Sequence, residues 1–304
     1  MAKVLLIANP IAGRGEAKSS IPVIEESFRR HAVEVETIFT IPGGNGNLAT
    51  LAVDKADAVV AAGGDGTVNA IVRSLLSQDS SRGAADLPAV GIIPMGTGNA
   101  SIAAFGIPRR LRDAVDVVVR GRHREVDVGI VTRPGKGTEA FLLWLGAGLD
   151  GLVMHKIHQT RSGPLGLRGI LARVPAAFGS FFRYPFHDIR VEVDGQPPVV
   201  CTSAMIANVG CIPLLGRVTS HADPSDGGME ILMTSHIGLW PWLRVVFAIF
   251  RHRLDSFNGV TLLRGSHIRL STQGEVPVQM DGDASGYLPV EVMVKPRAIR
   301  LIVP

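Results

Sequence analysis

Short, continuously apolar runs at 3–8, 57–62 and 89–93 are the first pattern along the chain. Strands buried on both faces of a parallel sheet read this way. A further strand is expected at 33–39, and the spacing of apolar residues predicts helices over 16–31, 47–55, 68–76 and 109–120. Strand and helix in alternation make βαβ units, whose ligands sit at the carboxyl ends of the strands. Beyond residue 127 the period changes to two. Residues 189–194, 268–271, 290–295 and 299–303 alternate apolar and polar, as half-exposed antiparallel strands do. Strands at 276–280 and 287–294 would flank a hairpin tip at 280–285, and helical stretches at 166–183 and 239–253 interrupt the β pattern. The predicted class is therefore α/β, an N-terminal parallel-sheet domain followed by a mostly antiparallel β domain. The expected boundaries are 1–127, completed by 296–304, and 128–295.

Composition narrows the function. Hydrophobic residues at 46% and charged residues at 19% exclude a disordered tail or a coiled coil. Gly 35 and Pro 19, neither periodic, belong to turns rather than to a collagen-like repeat. Aromatic residues at 5%, with only two tyrosines, argue against base stacking, so no nucleic-acid partner is expected. Lys+Arg 31 against Asp+Glu 27 gives a net +4, which suits an anionic ligand or an anionic membrane surface without choosing between them. Two cysteines make neither a disulfide framework nor a zinc motif, which points to a reducing compartment. The six-residue apolar run at the N-terminus is too short for a signal peptide, and no stretch reaches the ~18 apolar residues of a span. The expected location is cytoplasmic, at most peripheral on the inner face of the membrane.

Three glycine loops follow the apolar strands. Gly63-Gly64-Asp65-Gly66-Thr67-Val68-Asn69 opens a helix, where glycine lets backbone N–H groups approach a phosphate and the helix N-terminus adds positive potential. Its embedded Asp65 would repel a phosphate unless a metal or a charge network lay between, which suggests Mg²⁺-linked phosphoryl chemistry. Pro94-Met95-Gly96-Thr97-Gly98-Asn99 forms a second loop, and Asn9-Pro10-Ile11-Ala12-Gly13-Arg14 a third, with Arg14 available for phosphate oxygens. No G-x-x-x-x-G-K-[ST] sequence is present, which excludes a P-loop nucleotidase. Gly146-Ala147-Gly148-Leu149-Asp150-Gly151 matches G-x-G-x-x-G after an apolar strand, but it lacks the downstream acid of a dinucleotide site. His155 and His158 could share a helix face and are expected to be surface residues.

Taken together, NPIAGRG, GGDGTVN and PMGTGN resemble the diacylglycerol-kinase catalytic-domain family of soluble lipid kinases and sphingosine kinases. GAGLDG from Gly146, ADPSDGGMEI from Ala222 and VQMDGDASGYLP from Val278 extend the resemblance over nearly the whole chain. The resemblance implies ATP held by Gly63, Gly64, Asp65, Gly66, Thr67 and Asn69, with Asn9, Gly13, Arg14, Thr40, Thr97 and Asn99 nearby. It further implies Asp65 and Asp127 in a carboxylate and Mg²⁺ network, and a structural cation held by Asp226 with the backbone carbonyls of Asp223 and Gly228. Asp283, where the family carries Glu, would be the general base that takes the proton of a lipid hydroxyl.

The expected partners are a lipid substrate and a membrane surface, the latter through the Trp-bearing stretch 239–253 or through 166–183; a homo-oligomer is left open. Two rivals remain, an NAD kinase-like enzyme sharing the GGDGT loop, and a nucleotide- or lipid-binding protein with little kinase activity, motivated by the Asp in place of Glu.

Overall fold

The computed structural model describes residues 2–15, 17–40, 56–78, 83–96, 99–159, 184–212, 216–219, 221–235 and 259–304. The helices expected over 47–55, 166–183 and 239–253 lie outside them. Two compact units result: Met1–Val126 with Arg297–Pro304, and the described residues between Asp127 and Pro296.

In the first unit the chain runs β1 (Lys3–Ala8), α1 (Ala17–Arg30), β2 (Glu34–Phe39), β3 (Ala58–Gly63), α2 (Asp65–Gln78), β4 (Ala89–Pro94), α3 (Ala100–Phe105) and α4 (Leu111–Arg120). It then enters β5 (Arg122–Thr132), which crosses into the second unit. β1 pairs in parallel with β2 and β3, β3 with β4, and β4 with Leu301 near the C-terminus. All six residues of β3 and of β4 are buried, as their unbroken apolar runs require. α1 buries Ile21, Ile24 and Phe28, and α4 buries Ala114, Val115 and Val118. Each set has the three-and-four spacing of one helix face.

The second unit contains β6 (Glu139–Phe141), β7 (Trp144–Ala147), α5 (Leu149–Gln159), β8 (Ile189–Val193), β9 (Val199–Cys201), β10 (Ser203–Ala207), β11 (Cys211–Ile212) and β12 (Gly216–Arg217). It continues with β13 (Met229–Thr234), β14 (Val260–Gly265), β15 (His267–Thr272), β16 (Pro277–Met280), β17 (Asp283–Tyr287) and β18 (Val290–Val303). A six-stranded antiparallel sheet has the order β14-β13-β10-β7-β16-β17. A second layer, in which β15 pairs with β8 and with residues 290–293 of β18, faces it. Phe141, Leu145, Ile206 and Ile231 pack with Ile189, Val191, Ile268 and Val292 in one core. This is a β-sandwich.

Two elements depart from the sequence expectation. The strands expected at 290–295 and 299–303 are one strand, β18, which passes through a left-handed step at Arg297 (φ +45) immediately after Pro296 instead of ending there. The strand expected at 287–294 is preceded by β17, which the sequence does not signal. Asp-Ala-Ser-Gly-Tyr has no apolar alternation because β17 lies at the end of its sheet, paired on one side by β16.

Candidate active site

Parallel register brings the first unit's loops to one edge. Ala8 is level with Phe39 and with Ala62, and Gly63 is level with Pro94, so β1, β2, β3 and β4 end together. The segments beginning at Asn9, Thr40, Gly64 and Met95 all leave that carboxyl edge. Asn9 donates its N–H to the Ala62 carbonyl (3.1 Å), and its side-chain oxygen accepts from the Ile11 N–H (3.1 Å), which sets the turn into Gly13 (φ +58). Thr40 is anchored by its N–H to the Ala8 carbonyl (2.8 Å). Thr97 and the side chain of Arg14 lie outside the described residues.

The two principal glycine loops touch backbone to backbone. A Cβ on Gly96 would stand 2.4 Å from the Cα of Gly64, and one on Gly64 3.2 Å from the Cα of Gly96. Gly96 must be glycine for this approach, and at Gly64 a side chain would be tight. The Asn99 amide donates to the Gly96 carbonyl (2.5 Å) from a left-handed backbone (φ +48). Thr67 and Asn69 are buried, and the Thr67 hydroxyl lies over Gly63, filling the space a Cβ there would need.

Asp65 is held by the segment that follows the other glycine loop. Its carboxylate accepts the N–H groups of Ala100 (2.8 Å) and Ser101 (2.8 Å) and the Ser101 hydroxyl (2.7 Å). Donors at the start of α3 meet part of its charge. It clamps the GGDGT loop to the segment that follows the other glycine loop. Ser101, which the sequence reading passes over, is the partner that makes this possible.

In the second unit the acids are similarly engaged. Asp127 is fully buried; its carboxylate accepts from the Gly227 N–H (2.7 Å), and its own N–H donates to the Pro224 carbonyl (2.7 Å). It is thereby tied to the Asp-Gly loop. Within that loop Asp223 accepts from the N–H (3.1 Å) and hydroxyl (3.0 Å) of Ser225. Asp226 accepts from the Gly228 N–H (3.3 Å) and is ion-paired with the guanidinium of Arg264, whose Nε also lies 3.5 Å from the buried Glu230. A Cβ on Gly228 would fall 2.9 Å from that guanidinium. The positive charge at this loop is thus a side chain of the protein. At Asp226 a metal ion would have to displace this guanidinium.

The hairpin between β16 and β17 carries Asp283. Asp281 (φ +51) and Gly282 (φ +88) form a two-residue turn of the kind that Asp-Gly favours, and Met280 pairs with Asp283. The tip is therefore shorter than the sequence suggests, and Asp283 is the first residue of β17, exposed to solvent. Asp281 is buried and accepts from the N–H groups of Leu142 (2.7 Å), Leu143 (2.8 Å) and Trp144 (2.9 Å). Fully engaged in this way, Asp281 is a fastener for the turn, which leaves Asp283 as the accessible carboxylate of the pair.

α5 packs across this hairpin. His155 is half-buried and not a free surface residue: its Nε2 lies 3.0 Å from the Val278 carbonyl, and its ring meets Tyr287 edge-on at 5.2 Å. The side chain of His158 is outside the described residues. Asp150, in the first turn of α5, accepts from the Gln279 amide (2.7 Å). Burial pushes its carboxyl up to about 6, while the Gln279 hydrogen bond pulls it down. The sequence signal for Asp150 was present in GAGLDG; Gln279 had none. Among the described residues no helix is long and apolar enough to cross a membrane.

Residues 3–131 match the diacylglycerol kinase catalytic domain. Residues 144–303, more than half of the chain, match the YegS C-terminal NAD kinase beta sandwich-like domain. The chain is 24% identical over 313 residues to a diacylglycerol kinase of Bacillus subtilis, covering 100% of this chain and 97% of the relative. It is 28% identical over 312 residues to one of Mycobacterium tuberculosis, covering 99% and 95%. A crystal structure of a diacylglycerol kinase from Bacillus anthracis has the same fold, with a TM-score of 0.73 at 19% identity, covering 99% of this chain and 97% of that one. Glycine loops at one sheet edge, a sandwich ending in an acidic hairpin and matches over both halves lead to one assignment: the chain belongs to the diacylglycerol kinase family and is a kinase by that membership.

Proposed function

We propose that this kinase transfers the γ-phosphoryl group of ATP to the hydroxyl of a lipid. The observation that carries the reading is the level ending of β1, β3 and β4, which gathers three glycine-bearing turns at the edge where α/β sheets bind ligands. The first unit, taken as 1–127 with 296–304, binds the nucleotide; 128–295 receives the lipid. ATP would bind as its Mg²⁺ complex, the metal supplying neutralisation of phosphate charge. The chain contributes the glycine-lined backbone of the Gly64-Asp65-Gly66 turn, which the Thr67, Gly96 and Asn9 N–H groups hold in shape by donating to the Gly64, Gly63 and Ala62 carbonyls. Phosphoryl transfer needs positioning and charge neutralisation more than covalent help. Asp283 takes the proton from the lipid hydroxyl as the new O–P bond forms, and ADP leaves.

The lipid is presented at an anionic membrane surface, a reading supported by the net positive charge of the chain. A second reading, phosphorylation of NAD, is favoured by one observation, the NAD kinase beta sandwich-like match over 144–303. One assay separates them: transfer from γ-labelled ATP to a total lipid extract in mixed micelles, and in parallel to NAD, with products identified by mass. A labelled lipid is expected. Label in NAD alone would overturn the lipid reading, and label in neither would leave a binding protein.

A further inference from the structure

Gln279 is completely buried in the middle of β16, yet both ends of its amide are used. Its Nε2 donates to Asp150 Oδ2 (2.7 Å), and its Oε1 accepts from the N–H of Gly282 (2.8 Å). Gly282 immediately precedes Asp283. One planar group therefore joins the first turn of α5 to the turn that carries the proposed base. The glycines of GAGLDG make room for it. Gly146 lies directly opposite Gln279 in the pairing of β7 with β16, and a Cβ there would stand 1.9 Å from Asp150 Oδ2 and 2.9 Å from the Gln279 nitrogen. A Cβ on Gly151 would fall 2.1 Å from the Pro277 carbonyl, so α5 can lie against β16 only because that residue is glycine too. The motif that superficially suggests a dinucleotide loop here builds a carboxyl–amide bridge.

We infer that Asp150 and Gln279 are positioning residues that fix the backbone of the Asp281-Gly282 turn and so aim Asp283 at the acceptor hydroxyl. The inference rests on Asp283 being the base. Asp281 holds the turn through its side chain and Gln279 holds it through the Gly282 N–H, so the backbone just before Asp283 is restrained from two directions. Neither Asp150 nor Gln279 needs to touch substrate. Errors of about an ångström in a reacting group can lower a rate by about a hundredfold, which is the scale such a restraint protects.

The experiment is a substitution series on the full chain, assayed with γ-labelled ATP and micelles of total lipid extract. Gln279→Met keeps the length of the side chain and removes both hydrogen bonds; kcat is expected to fall ten- to hundredfold with the KM for ATP unchanged. Gln279→Glu sets a second carboxylate against Asp150 and is expected to fall further. Asp150→Asn alone should be nearly neutral, since its oxygen still accepts from Gln279. Combined with Gln279→Glu it should recover most of the lost kcat. The amide now at position 150 can donate to the carboxylate now at position 279, which still accepts from the Gly282 N–H. Rescue by the exchanged pair is a result that general destabilisation does not produce. Should Asp283→Ala be inactive while Gln279→Met keeps wild-type kcat, or should the exchanged pair fail to rescue folded Gln279→Glu protein, the positioning role is overturned. Transfer at the wild-type rate in Asp283→Ala would instead remove the base assignment, and the positioning role with it.

Discussion

Asp65 in the first unit and Asp281 in the second make an instructive pair. Each stands in an Asp-Gly step after a buried strand. Each accepts three hydrogen bonds from a neighbouring segment: Asp65 from two N–H groups and a hydroxyl, Asp281 from three consecutive N–H groups. What differs is what the clamp leaves beside it. Next to Asp65 are glycine backbones, suited to phosphate oxygens; next to Asp281 is the exposed carboxylate of Asp283. The motif acids hold loops in place, and under the proposed function the chemistry falls to their neighbours.

The largest effect should come from the residue that lies outside the clamp. Asp283→Ala is expected to lower transfer by about 10²–10⁴, the usual contribution of a general base, with ATP affinity little changed by calorimetry. An equal loss in ATP affinity would make Asp283 part of the nucleotide site and blur the division between the units. Next is Gly96→Ala, whose Cβ would meet the Gly64 backbone at 2.4 Å. Neither loop can yield without moving the other, so the KM for ATP should rise by about a hundredfold, while circular dichroism reports a folded chain.

The two clamps are compared directly by Asp65→Asn and Asp281→Asn. An asparagine turns an NH₂ toward donors, and each buried donor left unpaired costs roughly 1–3 kcal/mol. Both variants should therefore lose stability by chemical denaturation. Asp65→Asn should also lose at least about tenfold in transfer, mainly through the KM for ATP, whereas Asp281→Asn should lose it through kcat. A fall in kcat alone for Asp65→Asn, with full stability, would return that acid to the metal role its sequence suggests. Arg264→Gln asks whether the Asp-Gly loop has its own cation. Mg²⁺ without nucleotide should leave the melting temperature of the wild type unchanged and raise that of the variant, where Asp226 has lost its guanidinium. A Mg²⁺-dependent rise in the wild type would show a metal sharing Asp226.

The smallest effect is on the pH dependence of stability. Burial raises the Asp150 carboxyl to about 6, so the folded chain holds that proton more tightly than the unfolded one. The sign follows from linkage: this group favours folding fully below ~4, its contribution falls as pH rises from ~4 to ~6, and it is gone above that. Asp150→Asn should remove this component, seen as a flatter stability profile across that window. An unchanged profile would mean that Asp150 keeps an ordinary carboxyl.

Local pattern determined much of this protein. Unbroken apolar runs specify strands buried on both faces, and so β1, β3 and β4 were legible, as were α1, α4 and the α/β class; the glycine loops were legible because three of them follow such strands. Asp283 was legible only through its motif. What the tertiary structure alone decided is the partner of each acid. Asp65 bonds to residues 35 and 36 positions away, Asp281 to residues 137 to 139 away, and Asp150 to one 129 away. A hydrogen bond needs a donor within about 3 Å, and nothing in the spacing of residues along a chain records which distant N–H groups folding will bring there. β17 escaped notice for a related reason. An edge strand of short polar residues is held by the backbone of its neighbour, and backbone pairing leaves no mark in side-chain pattern.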